Sequence, residues 1–269
     1  MMLSMKRALG FLIIFVTTAV AQGNRKSKAD EGKLARLQPD PWVLASPLIL
    51  SAVCSDGIAL IAIHNDPSEE SSKGRTDEIE NGIRDTLRIF PLDQYGSALL
   101  CAGWRTDAAW LASKCRSISR DEVQTFGSPP LPHVLAQEAS LWMAHCAVSD
   151  SVRELHTVGL LAAYSASSVG ELYLIDSTGS YRVRAYALGK GSNYINKQLK
   201  SMDFTEVSAE DGIQRLLNLL VKESNVVDSD NEEWQALPPS TRVELAIVDF
   251  KSHRLQRIRQ PFLVMPSKS

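Results

Sequence analysis

Apolar positions along the chain recur at two spacings. Alternating or continuous apolar runs at 48–54, 58–63, 87–92, 97–101, 157–163, 171–175, 181–187, 243–249 and 255–258 predict strands. Ser55-Asp56-Gly57, Gln94-Tyr95-Gly96 and Ser177-Thr178-Gly179 separate successive runs at hairpin length, so the predicted sheets are mainly antiparallel. In 181–187 Arg182 and Arg184 alternate with Tyr181, Val183 and Ala185, the pattern of one half-buried strand.

Helical spacing appears in four places. Ala108, Leu111, Cys115 and Ile118 predict a helix that Thr106 or Asp107 can cap, and Leu131, Val134, Leu135, Leu141 and Trp142 predict a second one after Gly127-Ser128-Pro129-Pro130. Ser192 can cap a short helix with Ile195 and Leu199 on its inner face. Ser208 with Asp211 forms a capping box ahead of Ile213, Leu216, Leu217 and Leu220. Residues 65–85 are polar and acidic and read as a loop, as does the charged stretch 228–239, and Pro39 and Pro41 break any helix near 41. Strands grouped apart from helices predict an α+β fold: a four-layer α-β-β-α sandwich of two mainly antiparallel sheets flanked by helices.

The N-terminus differs from the rest. Lys6 and Arg7 precede an apolar run at 8–16, and Ala19-Val20-Ala21 supplies a small-residue cleavage site, which together describe a secretory signal peptide over residues 1–21. Residues 22–45 read as a polar linker, 46–260 as the folded domain and 261–269 as a tail. The basic stretch Asn24-Arg25-Lys26-Ser27-Lys28 also permits organelle targeting, so the compartment stays open between secretory and plastid.

Composition narrows the function classes. A net charge of −2 and the lack of a basic patch interleaved with aromatics argue against nucleic acid as a partner. The cysteines Cys54, Cys101, Cys115 and Cys146 are spread without a CxxC pair and read as small core hydrophobes. His64, His133, His145, His156 and His253 show no ligand spacing, so neither a metal nor a cofactor is expected. Gly189-Lys190-Gly191-Ser192 lacks the first glycine of a phosphate loop, since Arg184 stands there, and reads as a turn and helix start.

Several segments, taken in order, resemble the proteasome subunit family of N-terminal nucleophile hydrolases. They are Cys101-Ala102-Gly103 with Asp107-Ala108, Phe126-Gly127-Ser128-Pro129-Pro130-Leu131-Pro132, Glu171-Leu172-Tyr173-Leu174-Ile175-Asp176 with Ser177-Thr178-Gly179, Ala187-Leu188-Gly189-Lys190-Gly191-Ser192, and Arg242-Val243-Glu244-Leu245-Ala246-Ile247-Val248. The second and last are similar to α-type subunits, and Glu31-Gly32-Lys33-Leu34 resembles the start of that type. The resemblance spans roughly residues 46–258.

Active members of that family use a threonine freed by self-cleavage at the start of the first strand, whose own amine serves as base, with a lysine and an aspartate nearby. Counting back from Gly57 puts the threonine position at about Pro47, preceded by Ser46. The aspartate position falls near Ile63, with Asp66 as a poor substitute, and the lysine position is Arg88, which stays protonated. The resemblance therefore implies a non-catalytic, α-type proteasome-like subunit of a 20S-type core, partnered by other α- and β-type subunits in a hetero-oligomeric ring, with cytoplasm and nucleus as the family's default compartment against the secretory or plastid one that the N-terminus predicts. Two alternatives stay open. One is a serine-type hydrolase with Ser46 as catalytic candidate after a cut behind Ala45. The other is a diverged member acting alone in a secretory or plastid compartment.

Overall fold

The computed structural model describes residues 41–64, 87–164, 169–221 and 242–258, all within one compact unit, Pro39–Ser269. Ten strands and five helices occur among them. In chain order they are α1 (Pro41–Leu44), β1 (Ile49–Val53), β2 (Gly57–His64), β3 (Ile89–Pro91), β4 (Ala98–Gly103), α2 (Arg105–Phe126), α3 (Pro132–Val148), β5 (Thr157–Tyr164), β6 (Gly170–Asp176), β7 (Gly179–Val183), β8 (Ala185–Leu188), α4 (Ser192–Leu199), α5 (Ala209–Val221), β9 (Arg242–Asp249) and β10 (Arg254–Ile258). The predicted loops at 65–85 and 228–239, the tail 261–269 and the segments before residue 41 lie outside the described residues.

The strands form two five-stranded antiparallel sheets. Sheet A has the order β10-β9-β2-β1-β8 and sheet B the order β3-β4-β5-β6-β7. Helices α4 and α5 pack on sheet A, and α2 and α3 on sheet B. The layers are thus α-β-β-α, as the sequence predicts. Continuous apolar strands follow from this arrangement, because both faces of each sheet are covered. On β2, Ala59, Ile61 and Ile63 meet the helices while Ile58, Leu60 and Ala62 meet sheet B. The layer between the sheets also contains Ile49, Ile89, Leu100, Leu160, Leu172 and Val248.

The Asp56-Gly57 hairpin also holds α5 in place. Asp56 Oδ1 accepts the Ala209 N–H at 2.7 Å, and Ser208 and Asp211 form the predicted capping box, with the Asp211 N–H donating to Ser208 Oγ at 3.1 Å.

Four local expectations are corrected, and α3 shows which of its apolar positions are buried. The predicted strand 181–187 is two strands in different sheets: β7 pairs with β6 and β8 with β1, and Arg184 between them accepts the Val53 N–H. Alternation continues through the crossover because each piece is half-buried on its own sheet. Neither Thr106 nor Asp107 caps α2, which starts at Arg105 behind Trp104; Asp107 is drawn inward by Arg153 instead. On α3, Leu131 and Leu141 are exposed, and the buried face is Leu135, Ala136, Ala139, Met143 and Cys146. Ser192 is the first residue of α4, not its cap; Gly191, with φ 77°, holds the cap position. Pro41 begins a helical turn, because a proline at the first helical position gives up no hydrogen bond.

Candidate functional site

The starts of β1, β3, β5 and β9 and the ends of β2, β4 and β8 meet at one end of the sandwich. Ser46, Pro47, Ile63 and Arg88, singled out from the sequence, lie there. Pro47 touches the turn after β8: Gly189 has φ +103°, and its Cα faces the Pro47 carbonyl and the Leu48 backbone so closely that a Cβ would meet them. The Lys190 N–H donates to the Ser46 carbonyl at 2.9 Å, fixing the strand start to that turn.

Ser46 is buried, and its polar groups are spoken for. Its N–H and its Oγ both donate to the Val43 carbonyl, at 3.0 and 2.6 Å. The turn that makes this possible is α1. Its Val43 is 2% exposed and packs in the layer between the sheets, with Trp42 partly buried against the same layer. Trp42 also stacks on His156 at a centroid distance of 5.6 Å and lies against Gly103. Trp42 and Val43, on the turn that leads into Ser46, therefore pack against this end of the layer between the sheets.

Arg88 occupies the ground where the resemblance places a lysine. Its Nη1 donates to the Gly103 carbonyl at 2.7 Å, and its own carbonyl accepts the Cys101 N–H. Burial lowers the guanidinium pKa and Glu244 works against that shift. An arginine so placed is a fixed cation and cannot exchange a proton with a hydroxyl. Ile63 carries no polar atom and faces α4 and α5, on the side of sheet A away from Val43. Asp66 lies outside the described residues. The structure thus gathers Ser46, Pro47 and Arg88 at one end but turns Ile63 away from it.

Sequence reasoning missed Glu244. On β9, Val243, Leu245 and Ile247 face the helices, while Glu244, Ala246 and Val248 face sheet B. A carboxylate at an inward position is the signal, visible only once the register of β9 is known. Glu244 Oε2 accepts the backbone N–H of Arg88 at 2.9 Å and of Ile89 at 3.3 Å. Arg257 Nη1 lies 3.1 Å from Oε1, close enough for an ion pair though not aligned as a hydrogen bond. His64 Nε2 is 3.6 Å from Oε2. This carboxylate ties β9 to the start of β3 across the two sheets.

A second buried carboxylate, Asp107, takes a forked contact from Arg153 and accepts the His156 N–H at 2.8 Å. Burial alone raises its pKa, but the Arg153 and His156 hydrogen bonds outweigh it and hold the carboxyl below the usual range. Arg153 also lies 5.5 Å over the Trp104 ring. Both carboxylates are committed to structural partners. Among the described residues, no cluster of three or more His, Cys, Asp or Glu side chains is arranged to hold a metal, and no helix is long and apolar enough to cross a membrane.

Comparison with known proteins agrees with the fold. Residues 78–233, more than half of the chain, match the family described as "Proteasome subunit". A proteasome subunit alpha type-3 from Oryza sativa subsp. japonica is 22% identical over 156 residues, covering 53% of this chain. The match spans 62% of that relative's length.

Proposed function

The chain belongs to the proteasome subunit family, and on that premise we propose that it is a non-catalytic α-type subunit of a 20S-type core complex, acting in protein degradation by packing into a ring with other α- and β-type subunits. The replaced partner groups carry this reading. A nucleophile of this family works with a lysine and an aspartate beside it. Ser46 has neither, and its hydroxyl donates to the Val43 carbonyl on the chain that leads into it. Arg88 in place of a lysine and Ile63 in place of an aspartate remove the two groups that would support the reaction. The match to an α-type relative supports the branch.

Native mass spectrometry of complexes recovered through a tag on this chain tests the proposal. It predicts ring assemblies in which this chain is accompanied by proteasome α- and β-type subunits. Recovery of the chain as a lone monomer contradicts it. The signal peptide over 1–21 is proposed on the same footing from its charge and apolar pattern. A fluorescent fusion of residues 1–45 that stays in the cytosol contradicts that part and removes the stand-alone secretory reading with it.

A further inference from the structure

The turn α1 leads into Ser46, and side chains hold it to the body of the sandwich. Its backbone bonds stay within the turn: the Ala45 N–H donates to the Pro41 carbonyl and the Ser46 N–H to the Val43 carbonyl, each at 3.0 Å. Val43 packs in the layer between the sheets. Trp42 lies against Gly103 and stacks on His156.

The second of these anchors depends on groups far away in sequence. The His156 imidazole meets the Trp42 ring at a centroid distance of 5.6 Å and the Trp104 ring, edge-on, at 4.9 Å. Its backbone is fixed on both sides. The His156 N–H donates to Asp107 Oδ2 at 2.8 Å, and its carbonyl accepts the Trp104 N–H at 2.8 Å. Asp107 is 1% exposed and takes the forked contact from Arg153, whose guanidinium also lies over the Trp104 ring. Arg153 itself is half-exposed. Contacts therefore run from a surface arginine through a buried carboxylate and an imidazole to Trp42.

We propose that the Asp107–Arg153 pair is a latch for α1: it holds His156 where Trp42 can stack, and its release frees the turn that leads into Ser46. Without Arg153 the buried carboxylate keeps only the His156 N–H and the Thr106 hydroxyl, at 3.3 Å. A carboxylate left so placed regains water only by moving, and its movement takes the support from His156. Arg153 and His156 both belong to the connection between α3 and β5, so that connection is the piece that yields. The two-state element is α1, docked or undocked, and both Arg153 and Trp42 bias it.

Hydrogen–deuterium exchange of the full chain tests this. The Ala45 and Ser46 amides read the turn, the His156 amide reads the latch, and the amides of 58–63 in β2 read the fold as a whole. Arg153→Met removes the charge and keeps an apolar stem over Trp104. It is expected to speed exchange at 45–46 at least about tenfold, the loss of one hydrogen bond to a charged group, with 58–63 unchanged. Arg153→Lys is expected to retain part of the protection. Trp42→Ala leaves the ion pair in place and is expected to speed the His156 amide, the same coupling read from the other end. It serves as the readout where Arg153→Met lowers folding as a whole. The double variant is expected to exchange at 45–46 no faster than the faster single variant, because either change alone undocks the turn. Unchanged exchange at 45–46 in a folded Arg153→Met variant, an unchanged His156 amide in Trp42→Ala, or single effects that multiply in the double variant would overturn the proposal.

Discussion

Two glycines with left-handed backbones offer a controlled perturbation of the sealed end. Gly189 has φ +103° and Gly127 has φ +75°, a region where an L side chain costs about 1–2 kcal/mol. Their surroundings differ. At Gly127, the C-cap of α2, an added Cβ meets nothing within 4 Å. At Gly189 it would stand 2.8 Å from the Pro47 carbonyl carbon and 2.9 Å from Leu48 Cα, and closer still to the Pro47 oxygen. All three are backbone atoms of the strand start, so no rotamer change relieves them. Gly127→Ala is therefore expected to cost only the backbone term, about 1 kcal/mol. Gly189→Ala adds overpacking of about 1–3 kcal/mol and threatens the Lys190–Ser46 hydrogen bond, worth about 1 kcal/mol. Less flexibility in the unfolded chain returns under about 1 kcal/mol in both variants. The net expectation for Gly189→Ala is roughly 3–5 kcal/mol, on the order of 10 °C in melting temperature. Urea titration of the two variants at unchanged m-value measures the difference. Equal losses at the two sites would refute the close packing of Pro47 against the β8–α4 turn.

Three further predictions follow from the buried groups. Glu244→Ala strands the Arg88 and Ile89 N–H groups and the Arg257 charge, and is expected to cost about 3 kcal/mol, while Glu244→Gln, which keeps an acceptor, recovers part of this in the same urea assay. Asp107 has a lowered folded pKa, so its contribution is present above the unfolded value near 4 and is lost as pH falls through the folded value; Asp107→Asn should remove that acid-sensitive component from melting curves taken between about pH 5 and 2. Burial pushes the Cys54 thiol up to about 11 and that of Cys115 up to about 12, with Cys101 higher still, so an aromatic disulfide reagent at pH 8 should react slowly with the native protein and promptly with all four cysteines once it is unfolded.

What the sequence disclosed depended on whether the physics was local. The β1–β2 hairpin was legible because Asp56-Gly57 sets a turn between two apolar runs, and the α5 capping box because Ser208 and Asp211 answer each other within one turn. The switch of sheets at Arg184 was not, since alternation carries the same signal on either sheet. Helix α3 is apolar nearly all round, so its buried face could not be told from its exposed one. At the site, counting from Gly57 located Ser46, and Arg88 was recognised as a changed residue. The docked turn was hidden because Trp42 and Val43 sit behind Pro39 and Pro41, where the chain looked like linker. Glu244 was quoted as part of a motif, yet its inward aim depends on pairing with β2 residues some 180 positions earlier.

The claim that Ser46 is sealed and not a nucleophile can be tested at one peptide bond. Mass spectrometry of the native protein, digested with a protease that does not cut between Ala45 and Ser46, reports whether that bond is intact. The account predicts peptides that run unbroken through Ala45 and Ser46, with Val43 still attached. A mature chain that begins at Ser46, bearing a free amine beside its hydroxyl, would contradict it.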